Sequence, residues 1–326
     1  MRLKAYFKLV RLPNVLMMGI TLALMRYAII APILAVYSME LKLPFLAFLA
    51  YVFATMLIAA AGYAINDYYD RDLDLVNRDP SDVVVGKDIS PESVLWIYRI
   101  FNILSLLLGA YSSYKAGVMS LLFCYPIMIG LLYFYTTTYK KQLLVGNIIV
   151  ALATSMVPVA VYLFEMPPVL DHYKYYIISG TIQLNVITGW ILGFSVFAFL
   201  SGITREIIKD MEDFEGDRMV GRNTVPIVWG INTSRWITMI LLFFIMIALV
   251  CAYCLFFIND GSVDFITLVY FFAFLIVPLG YNIYHLWGAK TVAEYKFCGD
   301  LLKWIMLLGI LYAPVVWFII HKTFGV

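Results

Sequence analysis

Long apolar runs broken by short polar ones dominate this chain. Nine stretches are predominantly apolar over the roughly 20 residues that a hydrocarbon core requires: residues 12–36, 43–65, 91–114, 117–138, 143–164, 186–209, 233–258, 264–287 and 301–320. The pattern predicts an all-α polytopic membrane protein, a bundle of nine transmembrane helices with a central cavity open to the cytoplasmic face. The connections are too short to hold a separate soluble domain, so residues 1–326 read as one transmembrane domain. The basic opening segment MRLKAYFKLVRLPN runs straight into the first apolar stretch with no small-residue cleavage site. It reads as the lead into a first span and not as a removed signal.

Composition agrees: 63% of the residues are apolar and 13% charged, against about 25% charged in globular domains. That excludes an ordinary soluble domain, and no nucleic-acid partner is expected; bilayer lipid is the surrounding partner. The net charge of +2 says nothing about partners by itself. Its distribution is more telling. With the N-terminus inside, fifteen Lys and Arg residues fall on inner loops and only Lys42, Lys115, Lys174 and Lys322 fall outside. The positive-inside rule then places the N-terminus in the cytoplasm and the C-terminus outside, in a cytoplasmic (inner) membrane. Cys124, Cys251, Cys254 and Cys298 lack the partners of a zinc site and read as packing residues. Arg26, near the middle of the first span, should face the protein interior, either pairing with backbone carbonyls or helping to hold a phosphate-bearing acceptor. Gly189 and Gly193 form a GxxxG pattern that predicts close helix packing.

The acidic residues are crowded. Thirteen of 21 lie in two windows, 67–88 and 205–222. Asn66, Asp70 and Asp74 are four apart, and Glu206, Asp210, Asp213 and Asp217 follow at intervals of 4, 3 and 4, so each set projects from one face of a helix. Both sets extend the C-terminal ends of spans, where the helix dipole disfavours carboxylates, so something positive must compensate. Four spans separate the windows, which parity therefore places on one side, the cytoplasmic one. Carboxylate and amide oxygens are hard ligands suited to Mg²⁺, and neither window contains histidine. Mg²⁺ is held by one or two carboxylates together with substrate phosphates, so paired clusters predict a bound polyphosphate. Asp70, Asp72 and Asp74 mimic the start of a calcium loop, but Leu75 and Ser81 stand where that loop needs glycine and glutamate.

Basic and aromatic residues extend the picture. Arg78, Lys87, Lys140, Lys141, Arg205 and Lys209 reach the inner face near the clusters, where a diphosphate needs donors beyond the metal. Tyr63, Tyr68, Tyr133, Tyr135 and Tyr139 lie near the same surface and either stabilise a desolvated cation or anchor the protein at the lipid interface. No Ser-His-Asp or Cys-His arrangement is present, and His172, His285 and His321 sit at span ends away from the clusters.

The stretch Asn66-Asp67-Tyr-Tyr-Asp70-Arg-Asp-Leu-Asp74 resembles the first NDxxDxxxD signature of the UbiA-type prenyltransferases, and Lys209-Asp210-Met-Glu-Asp213-Phe-Glu-Gly216-Asp217 resembles the second. The segment REIIKDMEDFEGDRMVGRNTVPIVWG is most similar to the digeranylgeranylglyceryl phosphate synthases of that family. Arg11, Pro13 and Asn14 resemble its RxPN motif, near the acceptor end of the cavity. NRDPSDVVVGK departs from the family's NRPxRPxPxG, with Lys87 in place of the second arginine. The resemblance implies nine helices and Mg²⁺-dependent transfer of an isoprenoid, here geranylgeranyl, from a prenyl diphosphate donor to a lipid or aromatic acceptor, here geranylgeranylglyceryl phosphate. Asn66, Asp70, Asp74, Asp210, Asp213 and Asp217 would hold the metal, with Asp67 and Glu206 as further ligands. Asp70, Asp74, Asp213 and Asp217 would carry catalysis through an allylic carbocation. Prenylation of an aromatic quinone precursor, a cation transporter or channel, and a lipid phosphatase remain as alternatives, each separable by its products.

Overall fold

The computed structural model describes residues 2–77, 83–178, 184–259 and 262–326. Among them are nine helices long and apolar enough to cross a membrane: α1 (Leu12–Val36), α2 (Phe45–Leu73), α3 (Pro91–Lys115), α4 (Met119–Thr137), α5 (Val145–His172), α6 (Asn185–Glu212), α7 (Ile231–Phe256), α8 (Phe265–Gly288) and α9 (Val292–Phe324). A helix in hydrocarbon satisfies its own backbone, which is why apolar length alone predicts these elements. The only named strands among the described residues are the two-residue pair Ile258–Asn259 and Ser262–Val263.

Three boundaries differ from the apolar windows. The α2 helix continues without a break to Asn77, well past the window end at 65. The α5 helix runs on to His172 through Pro158, Pro167 and Pro168; neighbouring groups in a membrane protein make such prolines tolerable. The α9 helix starts at Val292 and not 301, because Thr291 and Glu294 form a capping box that satisfies its first amides.

The chain divides into two compact units, one of residues 1–139, 157–192 and 323–326, the other of residues 140–156 and 193–322. In the first, α2 packs against α1, α3 and α4. Its core includes Leu22, Ile29 and Leu34 of α1 and Tyr51 and Ile65 of α2, all under 2% exposed. Arg26 lies in a π-helical stretch of α1, Met25–Ile30. Its Nη1 is 3.3 Å from Glu165 Oε1 of α5, with side chains 4% and 0% exposed. Arg26 Nη2 also donates to the Leu43 carbonyl at 2.8 Å, and its guanidinium lies 4.3 Å from the Phe48 ring centroid. Tyr51 donates to Glu165 at 3.4 Å while stacking on Phe164. Arg26 therefore faces inward as expected, and its charge is met by a carboxylate as well as a carbonyl.

In the second unit α8 packs between α7 and α9, burying Leu242, Ile245, Leu279, Leu286, Leu302 and Ile305. Asn282 Nδ2 donates to the Cys298 carbonyl at 2.9 Å, and Tyr270 donates to the Leu308 carbonyl at 2.7 Å.

Two expectations are corrected. Only Cys298 is buried; Cys124, Cys251 and Cys254 are exposed. A Cβ at Gly189 or Gly193 would meet nothing within 4 Å among the described residues, so this GxxxG is not a close-packing seam. Close approach occurs instead at Gly109, where a Cβ would fall 2.6 Å from the Tyr125 ring.

Candidate active site

The first acidic cluster stands on the continuous C-terminal extension of α2, so Asn66, Asp70 and Asp74 recur at one-turn intervals on unbroken helix. Asp67 and Asp70 are buried, at 7% and 8% exposure, while Asn66 is half-buried. Arg11 Nη2 is 3.2 Å from Asp67 Oδ1, and its guanidinium lies 4.7 Å from the Tyr63 ring centroid. Asn14 Nδ2 donates to the same tyrosine's hydroxyl at 3.4 Å.

The local chain explains how Arg11 gets there. It joins the helix Arg2–Leu9 to α1 in a left-handed conformation, φ 48°, ψ 54°, with Pro13 in the first turn that follows. Ala5 and Leu9 of the short helix are buried in an apolar cluster with Ala64, Val84, Val85, Ile89 and Val94, against which Tyr68 packs. That cluster fixes the segment after the first motif as well. Gly86, at φ +83°, closes a turn by donating to the Ile89 carbonyl at 2.8 Å, and Lys87 is exposed in this turn. Arg78 lies outside the described residues, as does the side chain of Asp74. Asp72 is paired with Arg71 at 3.2 Å on the exposed side of the helix, away from the buried carboxylates. The hydroxyls of Tyr69 and Tyr133 are 3.5 Å apart. Tyr133 also lines a cleft of about 440 Å³ between α3 and α4, with Asn102 and Leu106. Tyr135 and Tyr139 are half-buried.

The second cluster departs from one continuous helical face. The α6 helix ends at Glu212; Asp213 takes φ −88°, ψ 7°, and a short helix, Phe214–Met219, follows. Aspartate competes with helical hydrogen bonding, and Gly216 adds backbone freedom, which accounts for a break here. The turn spacing survives it: Asp213 N donates to the Lys209 carbonyl at 2.9 Å and Asp217 N to the Asp213 carbonyl at 3.0 Å.

Each carboxylate of this cluster has a protein partner. Glu206 is 3.1 Å from Arg205. Asp213 is 3.9 Å from Lys209. Asp210 accepts from Asn147 Nδ2 of α5 at 2.8 Å. Asp217, 2% exposed, is 2.9 Å from Arg222. Burial pushes the Asp217 carboxyl up to about 6, because desolvation outweighs the attraction of Arg222 and Asp213 adds repulsion. Asp210 is within electrostatic reach of Glu206 and Asp217, so these acids are brought together. Lys141, exposed on a 3₁₀ turn beside half-buried Lys140, accepts from Asn223 N at 3.1 Å through its carbonyl, which ties that turn to the second motif. Sequence reasoning missed Asn147 and Arg222 as partners. Arg222 stood five residues from Asp217, a visible signal; Asn147 stood 63 residues from Asp210 and gave none.

Among the described residues no three His, Cys, Asp or Glu side chains form a closed metal cage. Each set, carboxylates with the Asn66 amide in the first and carboxylates in the second, is free of imidazole and thiolate and has the chemistry of a hard-cation site completed by phosphate oxygens, the way Mg²⁺ is ordinarily bound.

The UbiA prenyltransferase family matches residues 24–308. The digeranylgeranylglyceryl phosphate synthase of Methanosphaera stadtmanae is 31% identical over 236 residues, 72% of this chain and 73% of its own. That of Sulfolobus acidocaldarius is 32% identical over 237 residues, 73% of each chain. Among solved structures, a digeranylgeranylglyceryl phosphate synthase superposes with a TM-score of 0.60 at 22% identity, covering 97% of this chain and 98% of its own. A UbiA homologue from Archaeoglobus fulgidus, bound to GPP and Mg²⁺, gives 0.59 at 15% identity, covering 95% and 99%.

Proposed function

Because the chain belongs to the UbiA prenyltransferase family, we propose that it transfers a geranylgeranyl chain from its diphosphate to geranylgeranylglyceryl phosphate, with Mg²⁺ as cofactor and pyrophosphate as leaving group. The observation that carries this reading is the pair of acidic clusters, spaced by helical turns at the ends of α2 and α6, in a chain whose relatives at 31% and 32% identity are digeranylgeranylglyceryl phosphate synthases. The GPP and Mg²⁺ of the Archaeoglobus homologue support an allylic diphosphate and a divalent ion.

When bound, Mg²⁺ would supply Lewis-acid neutralisation of the charge on the leaving pyrophosphate. Asn66, Asp70 and Asp74 of one cluster and Asp210, Asp213 and Asp217 of the other supply its protein oxygens, with Asp67 and Glu206 as outlying ligands. Both clusters act on the same diphosphate. Arg78, Lys87, Lys140, Lys141, Arg205 and Lys209 donate to its remaining oxygens. Heterolysis of the C–O bond leaves a delocalised allylic cation, which tyrosine faces stabilise by about 2 kcal/mol when water is excluded. The acceptor hydroxyl attacks that carbon, forms the ether and loses its proton. Arg11 and Asn14, held by Tyr63 and Asp67, stand on the acceptor side. The whole chain works as one catalytic domain, N-terminus inside, with the chemistry at the cytoplasmic face where its Lys and Arg collect.

Purified protein given labelled geranylgeranyl diphosphate, Mg²⁺ and competing acceptors tests this reading. Expected is a diether lipid phosphate with one pyrophosphate released per transfer, and loss of both on chelation. Product on hydroxybenzoate or dihydroxynaphthoate alone would remove the proposed acceptor, and free prenyl alcohol as sole product would indicate a phosphatase.

A further inference from the structure

The α6 helix presents two chemically different sides. Glu206 and Asp210 lie on one, while Arg205, Lys209 and Glu212 lie roughly a third of a turn away at 3.6 residues per turn. The second side opens into a cleft of about 180 Å³ whose other wall is Lys296, Gly299 and Asp300 of α9. All six residues belong to one compact unit. The cleft lies where α6 ends and α9 begins.

Three cations line this space against two carboxylates. Arg205 is occupied by Glu206 at 3.1 Å, and Lys209 is only loosely engaged by Asp213 at 3.9 Å. Lys296 forms no ion pair within 4 Å among the described residues, although it is near enough to Glu212 to act on it electrostatically. A cleft this small holds a headgroup and not a chain. Its donors suit phosphate oxygens, and its carboxylates suit the hydroxyls of a polyol attached to that phosphate.

We propose that this cleft binds the phosphate of a lipid-linked glycerol phosphate, with Lys296 on the phosphate oxygens and Glu212 and Asp300 accepting from a hydroxyl. The inference rests on the acceptor proposed above, and it gives that acceptor's phosphate a place beside the second acidic cluster, to which Lys209 links it through Asp213. An anionic bilayer lipid would present the same chemistry, so the two sources are separated by experiment.

The full chain, reconstituted with Mg²⁺ in phosphatidylcholine nanodiscs, is compared with Lys296→Gln and Lys296→Arg. Native mass spectrometry reads retention of geranylgeranylglyceryl phosphate and, separately, of phosphatidic acid; steady-state kinetics read the KM of acceptor and donor. The expected result is that Lys296→Gln weakens retention of the phosphorylated acceptor and raises its KM about tenfold, equivalent to about 1.4 kcal/mol, leaves the donor KM unchanged, and is rescued by Lys296→Arg. If retention of phosphatidic acid falls instead, while acceptor KM is unchanged, the cleft is a phosphate site for bilayer lipid. Equal retention of both lipids by wild type and Lys296→Gln overturns the proposal. The binding readout stands even if the wild type transfers nothing to the phosphorylated acceptor, an outcome that would sink the proposed function alone.

Discussion

Replacing Arg26 by Met should strongly destabilise the first unit. An arginine at the centre of a span costs about 2.5–3.5 kcal/mol to insert, and here Glu165, 3.3 Å away and with a side chain 0% exposed, offsets that cost. Arg26→Met leaves Glu165 a buried charge without its cation, a loss of about 3–5 kcal/mol. It also removes the donor to the Leu43 carbonyl, about 1 kcal/mol of that total. Glu165→Gln leaves the guanidinium in the same position and should cost nearly as much. The double variant Arg26→Met/Glu165→Gln carries no net charge and still offers Tyr51 an amide oxygen, so its cost should fall to about 1–2 kcal/mol. Reversible unfolding in mixed micelles, followed by tryptophan fluorescence across increasing SDS, gives the three differences and a coupling of at least about 2 kcal/mol. Single costs under about 1 kcal/mol, or a double cost equal to the sum of the singles, would refute the reasoning.

Asp70→Ala and Asp213→Ala should each lower transfer by at least about 10³-fold, several kcal/mol of leaving-group stabilisation, while membrane yield and gel-filtration profile stay normal; full activity in either would remove that residue from metal binding. Asn147→Leu strips Asp210 of its 2.8 Å donor and should reduce transfer by about 10- to 100-fold, the kinetic equivalent of a charged acceptor left unsatisfied; activity within twofold of wild type would mean the contact is dispensable. With the metal-free Asp217 carboxyl raised to about 6, a proton occupies it increasingly as pH falls below that value, so the Mg²⁺ concentration for half-maximal rate should rise from pH 7 to pH 5 and stay flat above pH 7.5. Arg222→Gln removes the opposing cation and should move that rise to higher pH; a Mg²⁺ requirement independent of pH would exclude Asp217 as a ligand.

The helices were readable because hydrocarbon selects on length and apolarity alone, both of which are local. Hydropathy alone did not mark their polar ends. Asn66 to Asn77 falls outside the apolar window, yet its four-residue spacing predicts the helix that continues to Asn77. Glu294, Lys296 and Asp300 depress the apolar window and hide the first turns of α9, whose capping box is nonetheless written in Thr291 and Glu294. Both acidic motifs were legible through spacing within one stretch of chain. Their partners were legible only where they too were near: Lys209 and Arg222 are, Asn147 is not. Glu165 went unread for the same reason. A single acid in an apolar span declares a need for a partner without saying where, and Arg26 declared the matching need on a different helix. The break at Asp213 was invisible because the intervals of 4, 3 and 4 fit a continuous helix as well as a bent one.

Equilibrium binding of a non-hydrolysable geranylgeranyl thiolodiphosphate, measured calorimetrically with and without Mg²⁺ in wild type, Asp70→Asn and Asp213→Asn, tests the central claim most directly. If both acidic clusters hold one magnesium-bound diphosphate, Mg²⁺-dependent affinity falls sharply in each variant. Wild-type, Mg²⁺-dependent affinity in either one would contradict it.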